Sequence, residues 1–585
     1  MPTEILFEAT DSSYGSGLWV TDGTAAGTSE IIGGTLSPAY LVSYGNEVLF
    51  DGEDASGNFG LWMTDGSASG TTELAVQNVG TDIGLAPENL TPFGAGVYFS
   101  GIDASGNFGL WVTNGTVDGT TELVATSGTY ALDPTNLTVV NTATGAVLAF
   151  DGVDAQGNYG LWLSDGTAAG TSEIYAGSVE QGGVSPSEIT PLNGTEFVFT
   201  GFDDAGNAEL FVSNGTSLGT SELAVPTAPP GIDGDFVYTG GNMAALGGHV
   251  LFAAYDSADT NLIELWSTDG TAAGTTELVV QNANTFFGLV PTDLTTLGSL
   301  VVFDGIDAAG NSGLWVTDGT AAGTTELTGI ANAGTNFDPA DLTTVGQEVY
   351  FNAIDSNGNT GLWMTDGTAA GTTELTPISG EALDGFDPNS FAALVPCFAT
   401  GTRIRTLRGD VAVEDLAVGQ MAVTHDGQAA PIRWIGTRKV GSASHPAPAS
   451  LWPVRVAAGA FGCGLPTRDL LLSPDHAVFS DGVLIPVRYL VNGDSVAQVR
   501  VASVSYWHVE LDRHAVLLAE GLAVESYLET GQRAAFANGG AAMRLHPDFA
   551  VRVREAEACA PIVVTGPVVA AVRARLLPFA TAQAA

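Results

Sequence analysis

One phrase, Gly-Leu-Trp-Val-Thr-Asp-Gly-Thr-Ala-Ala-Gly-Thr, returns with small changes along most of the chain, and nothing else restricts the possible folds so strongly. Its aromatic falls at Trp19, Trp62, Trp111, Trp162, Phe211, Trp266, Trp315 and Trp363, with spacings of 43, 49, 51, 49, 55, 49 and 48 residues. In most units an apolar run such as Val97-Tyr98-Phe99 precedes a turn of the form Asp-x-x-Gly-Asn, as at Asp103 to Asn107. The aromatic strand follows and ends in Asp-Gly-Thr-x-x-Gly-Thr. A short run such as Thr324-Thr325-Glu326-Leu327 comes next, and a further run such as Asp341-Leu342-Thr343-Thr344-Val345 leads into the next unit. Four short strands in about 49 residues is the pattern of a propeller blade rather than a helical solenoid. The expected fold class is therefore all-β, with an eight-bladed-propeller-like repeat domain over residues 1–396.

The ends of the repeat indicate how such a ring closes. The first unit begins at Ile5-Leu6-Phe7 without a leading strand, while Phe386-Asp387-Pro388-Asn389-Ser390-Phe391 echoes Phe337-Asp338-Pro339-Ala340-Asp341-Leu342. Residues 389–395 are thus expected to supply the missing strand of the first blade and remove its free edge. An open stacked array is the alternative.

Charge divides the chain at the same place. The sequence has 585 residues and a formal net charge of −48, yet its first basic residue is Arg403. The repeat region holds no Lys or Arg, whereas residues 397–585 hold all 17, together with all three cysteines and six of the seven histidines. Such a field repels nucleic acid and anionic surfaces, and favours divalent cations or cationic partners. No positive n-region followed by an apolar stretch opens the sequence, and no apolar run reaches about 18 residues, so neither a standard signal peptide nor a transmembrane segment is expected. Three cysteines without a CxxC argue against a disulfide framework or a structural zinc site.

In the repeats each Trp is expected in a blade core. The Asp-x-x-Gly-Asn turns could lend oxygens to Ca²⁺, but Asp, Asn and Gly are also what a tight turn needs without metal. The second-turn Asp is replaced by Asn at Asn114 and Asn214. No nucleophile and base stand together, the lone histidine being His249. The repeat region resembles the bacterial ELWxxDGT repeat proteins, which marks a repeat and implies no activity.

The chemistry lies beyond the boundary. There the sequence reads Val395-Pro396-Cys397-Phe398-Ala399-Thr400-Gly401-Thr402-Arg403-Ile404, and short alternating strands separated by Gly and Asp turns continue. A cysteine at this position can direct its thiol, through a five-membered ring, to the carbonyl carbon of the preceding peptide bond. Attack there replaces the amide by a thioester. The step needs a proton for the departing nitrogen and donors for the tetrahedral oxyanion. Ser473 and His476 occur in Leu472-Ser473-Pro474-Asp475-His476, and a tight turn could bring both to one amide. In Tyr506-Trp507-His508-Val509-Glu510-Leu511-Asp512-Arg513-His514, strand alternation places His508, Glu510 and Asp512 on one face with His514 beyond.

These blocks, in this order, resemble the Hint domain of hedgehog autoprocessing segments and inteins, in its bacterial hedgehog-type form, over residues 397 to about 540. The resemblance implies a compact all-β module that cleaves, ligates or splices through a thioester without a cofactor. It makes Cys397 the nucleophile, Pro396–Cys397 the scissile bond and His476 the histidine that activates the amide. Ser473 stands where Thr is common, His508 where inteins often have Asp or Cys, and His514 matches a histidine that works on thioester resolution. The terminal His-Asn of inteins is missing from Gly521-Leu522-Ala523-Val524-Glu525-Ser526-Tyr527, so cleavage or transfer of the ring is expected rather than splicing. Pro396 crowds the carbonyl under attack, which points to slow turnover or a long-lived thioester. Cys463 and Cys559 are expected to be structural, with a resolving or redox role as the alternative, and Glu525 and Asp512 to serve strand ends.

Residues 541–585 form a tail in which Pro567 to Leu577 reads as a short amphipathic helix, either packed on the module or part of an export address. The leading functional expectation is an acidic, exported, self-processing protein whose Hint domain performs a single-turnover acyl shift. The resolving partner would be an external amine, thiol or water, and the ring could recognise a surface or extracellular ligand. The alternatives are a surface or secreted repeat adhesin with an inactive Hint fold, and a glycan-active propeller. Export would proceed without an N-terminal signal peptide; otherwise the protein stays in the cytoplasm.

Overall fold

Eight four-stranded antiparallel sheets build a closed ring, and a separate all-β module follows it. The computed structural model describes residues 5–11, 15–21, 28–44, 47–80, 83–124, 130–177, 182–225, 236–237, 242–256, 262–345, 348–375, 386, 388–393, 398–441, 452–474, 476–501, 503–511, 515–526 and 567–576.

Each blade follows from its repeat. The apolar strand sets a Phe directly opposite the Trp of the next strand, as in Phe50↔Trp62, Phe99↔Trp111 and Phe303↔Trp315. The indole N–H of Trp111 donates to the Gly101 carbonyl at 3.0 Å and that of Trp315 to the Gly305 carbonyl at 3.0 Å, so burying the ring leaves no polar atom wanting. Both indoles are buried, as expected of a blade core.

The second turn is held by its own side chains. In blade 2 the Asp65 carboxylate accepts from the Ser67 amide at 3.0 Å and the Ser67 hydroxyl at 2.6 Å. That hydroxyl in turn accepts from the Gly70 amide, and Thr64 and Thr71 clasp one another at 2.7 Å. A Cβ on Gly70 would collide with the Asp65 carboxylate, which accounts for the second glycine of the motif. Asn114 makes the same pair of bonds to Thr116, at 3.1 and 2.7 Å. An acceptor oxygen is what this position requires, not a charge.

In the first turn the Asp54 carboxylate takes the amides of Ser56 and Asn58 and the Asn58 side chain. The Asn58 amide, with its side-chain amide and the Ser56 amide, holds Asp54 below the usual carboxylate range. These acids thus carry out turn chemistry. Among the described residues no three His, Cys, Asp or Glu side chains come together as a metal site.

The strand Asn389–Ala393 pairs antiparallel with Ile5–Thr10, through Ile5↔Ala393, Leu6↔Ala392 and Glu8↔Asn389, and completes the first blade. Residues 394 and 395 lie outside the described residues. Asn389–Ala393 also touches the leading strands of both neighbouring blades, Ala340–Val345 and Ala39–Tyr44, so the ring is closed and the open array does not form. Phe391 anchors the closure: it is 6% exposed and lies 5.7 Å from the Phe7 ring and 6.0 Å from Tyr350 between ring centres. Phe391→Ala is expected to destabilise the propeller by about 3 kcal/mol, because the cavity opens at the seam where the ring's last strand pairs with its first. Denaturant unfolding checks this; a loss under about 1 kcal/mol would mean that the seam is held elsewhere.

The ring's strands carry buried acids, and residues 1–396 hold no Lys or Arg to pair with them. Asp51 and Asp151 are buried next to the leading strands, through the pairs Ala39↔Asp51 and Thr135↔Asp151. Burial pushes Asp51 up to about 7 and Asp151 to about 8, despite opposing hydrogen bonds; Asp304 likewise rises to about 6 and Glu264 to about 7.

The C-terminal module packs its own core from residues including Phe398, Ile404, Leu472, Val478, Val509 and Val524. Its longest pairing sets Ala429–Gly441 against Ser503–Leu511. The helix Pro567–Arg575 lies on this core, with Val569 and Val572 buried and Arg573 and Arg575 exposed, so it is packed on the module.

Candidate functional site

The two-residue strand Phe398–Ala399 enters the module between two others. Phe398 pairs with Leu472 on one side and Trp507 on the other, and is fully buried. The next residue after Leu472 is Ser473, and the next after Trp507 is His508. The N-terminal end of the Phe398 strand is therefore flanked by Ser473 and His508. Pro396 and Cys397, which precede it in sequence, lie outside the described residues, as do Asp475, Asp512 and His514.

Ser473, His476 and His508 are all buried. The His476 amide donates to the Ser473 carbonyl at 3.1 Å, which forms the tight turn that the Ser-Pro-Asp-His spacing predicts. The His476 ring packs against Phe398 with centroids 4.2 Å apart. His508 sits in Ser503–Leu511 opposite Gly436, which contributes no side chain to crowd the imidazole. Burial, reinforced by the facing His476, holds His508 well below the usual histidine range, so it is neutral at physiological pH. The structure thus brings Ser473, His476 and His508 to one strand end.

Other residues fix this turn, and sequence reading gave them little or no part in the site. The Val487 amide donates to the His476 carbonyl at 3.0 Å and the Arg488 amide to the Pro474 carbonyl at 2.9 Å, both from the single-turn helix Val487–Leu490. The buried Glu525, assigned only to a strand end, accepts the Ala477 amide at 2.6 Å. Trp507 donates through its indole N–H to the Thr400 hydroxyl at 2.7 Å, and Thr400 donates to the Ser505 carbonyl. The Cys-Phe-Ala-Thr and Tyr-Trp-His blocks held the signal for that last pair, since both lie beside candidate residues. The Arg488 guanidinium also donates to the Asp65 carbonyl of blade 2 at 3.3 Å. Cys463 is exposed, at a turn where its φ is 52°, and Cys559 lies outside the described residues.

Residues 396–531 match the family model described as a Hint domain. No curated protein matches the chain. Among solved structures, a puromycin hydrolase aligns at 14% identity and a TM-score of 0.35, covering 64% of this chain and 57% of the hydrolase. The β-propeller domain of the Trilobed protease from Pyrococcus furiosus aligns at 11% identity and a TM-score of 0.31, covering 58% of this chain and 98% of that one. The MchDnaB-1 intein aligns at 18% identity and a TM-score of 0.17, covering 22% of this chain and 99% of the intein. The chain thus spans less than two thirds of the hydrolase's length. With an eight-bladed arrangement of four-stranded sheets ahead of it, the C-terminal part of the chain is a Hint domain.

Proposed function

We propose that this Hint domain cleaves the chain in a single turnover at Pro396–Cys397 and releases or transfers the acidic ring. The observation that carries the reading is the flanking of the Phe398 strand end by Ser473 and His508, with the His476 ring against Phe398. In the proposed step the Cys397 sulfur, its proton passed to a base or to solvent, attacks the Pro396 carbonyl carbon. The C–N bond to Cys397 breaks, the leaving nitrogen takes a proton from His476, and a thioester joins Pro396 to the cysteine sulfur. The Ser473 hydroxyl and neutral His508 supply hydrogen bonds to the reacting amide. An external amine, thiol or water then takes the acyl group, restoring the Cys397 thiol. His514 is assigned to this resolving step.

The position of the bond relative to the fold supports the same reading. The closing strand ends at Ala393 and the Hint strand begins at Phe398. Cleavage between residues 396 and 397 leaves the closing strand on the ring, so the released product keeps all eight blades intact. Export to the cell exterior, with the ring as the delivered part, accords with its lack of basic residues.

Hydroxylamine intercepts thioesters, so the full chain incubated with it is expected to yield a hydroxamate fragment ending at Pro396 and a second fragment beginning at Cys397. Intact mass spectrometry reads both, and Cys397→Ala stays whole. If the wild-type chain also stays whole with hydroxylamine and with dithiothreitol, the processing reading is wrong and a scaffold with an unreactive Hint fold replaces it.

A further inference from the structure

We infer that the C-terminal helix Pro567–Arg575 is a positioning element of the processing site, acting through the single-turn helix Val487–Leu490 on the turn that carries Ser473 and His476. This rests on the processing reading above and adds to it a control element outside the segment that matches the Hint family, which ends at residue 531.

Contacts run from tail to imidazole without a gap. Val569 and Val572 are buried in the core of the Hint domain, with Val568 and Leu576 packed at its edge. Arg575 sends two guanidinium hydrogen bonds to Asp481, at the hairpin joining Ala477–Ser480 to Val483–Pro486. The helix contacts Val487–Leu490 directly. In that single turn, the amides of Val487 and Arg488 are spent on the carbonyls of His476 and Pro474. The tail therefore stands one element away from the backbone that sets the His476 ring against Phe398.

The two helices depend on each other. A four-residue 3-10 turn has poor hydrogen-bond geometry, and this one has no side-chain cap at Pro486. A nine-residue α-helix is equally marginal alone in water, where helices below about 12 residues do not persist. Each gains from burying apolar surface on the other. Detaching the tail exposes one side of Val487–Leu490, and the His476 turn loses the support behind two of its carbonyls. Proton delivery to the leaving nitrogen is sensitive to displacement of about 1 Å, so the rate falls although every reacting residue remains.

The test uses the full chain with Val572→Asp, Val572→Ile, Arg575→Asp, and Arg575→Asp combined with Asp481→Arg. Hydroxylamine-dependent cleavage is timed by intact mass, and hydrogen exchange is followed at the Val487 and Arg488 amides. Val572→Asp is expected to slow cleavage at least about tenfold and to speed exchange at those two amides, while Val509 in the core stays protected. Val572→Ile stays within about twofold of wild type. Arg575→Asp slows cleavage by about threefold and the charge-swapped pair restores it; both residues are exposed, so the fold tolerates them. The inference is overturned if Val572→Asp cleaves at the wild-type rate, or if the two amides exchange as in wild type. If the wild-type chain shows no Cys397-dependent cleavage, the processing reading fails instead, and exchange at Val487 and Arg488 alone decides whether the helix holds the turn.

Discussion

Substituting alanine for His476 is expected to slow cysteine-dependent cleavage after Pro396 by about 10²–10³-fold. An amide nitrogen leaves only if it is protonated, and the described residue best placed to supply that proton is His476, whose imidazole packs against Phe398. Water cannot readily substitute, because His476 is buried. Ser473→Ala is expected to cost less, about tenfold to a hundredfold, since it removes one hydrogen bond from a transition state that retains others. His508→Ala leaves a cavity opposite Gly436 as well as removing a polar group, so His508→Gln is the cleaner variant, and a loss of at least about tenfold is expected. Cleavage rates measured by intact mass, alongside melting curves that establish folding, give the answer. A His476→Ala chain that cleaves within about threefold of wild type would remove the histidine from the mechanism.

The two parts of the molecule are expected to respond to pH in opposite directions. In the ring, burial raises Asp51 to about 7, Asp151 to about 8, Asp304 to about 6 and Glu264 to about 7. The folded ring therefore holds protons that the unfolded chain has lost above about pH 4, and its stability falls as pH rises from there to about 8. Repulsion among acids with no basic residue between them acts in the same sense. In the Hint domain the folded state holds His508 neutral, whereas the unfolded chain binds a proton below about pH 6.5. Its stability is full above that pH and is lost as pH falls toward the lowered folded value.

Calorimetry of the full chain should show the ring transition falling by about 5–10 °C between pH 5 and pH 8, and the Hint transition rising by about 5 °C over the same interval. Asp151→Asn should flatten the ring's dependence and raise its transition at pH 8, because the amide is neutral at either pH. Added salt separates the two causes, since it screens repulsion between exposed acids but leaves buried groups largely unaffected. Parallel movement of both transitions would contradict the account.

Much of the fold was legible because a repeat states the same local physics eight times. The Asp-Gly-Thr-x-x-Gly-Thr spacing encodes a turn whose bonds all lie within seven residues, from the Asp65 to Ser67 bonds to the clasp between Thr64 and Thr71. The echo of Phe337–Val345 at Phe386–Leu394 gave the closing strand for the same reason, since like sequence seeks a like place. The site was legible in part. Cys397, Ser473, His476 and His508 stood out by residue type and neighbours. The support from Val487, Arg488 and Glu525 did not, because backbone amides and a strand-end carboxylate leave no pattern in a sequence.

By itself the sequence determined the blade count, the period, the division of charge at residue 396 and the candidate nucleophile, since each follows from spacing or composition along the chain. Tertiary structure alone decided that Ser473 and His508 flank one strand end, that burial lowers the His508 pKa and raises those of Asp51 and Asp151, and that the helix Pro567–Arg575 packs beside Val487–Leu490. Those properties depend on which strands lie side by side and how much water they exclude, and both are settled only when segments far apart in sequence pack together.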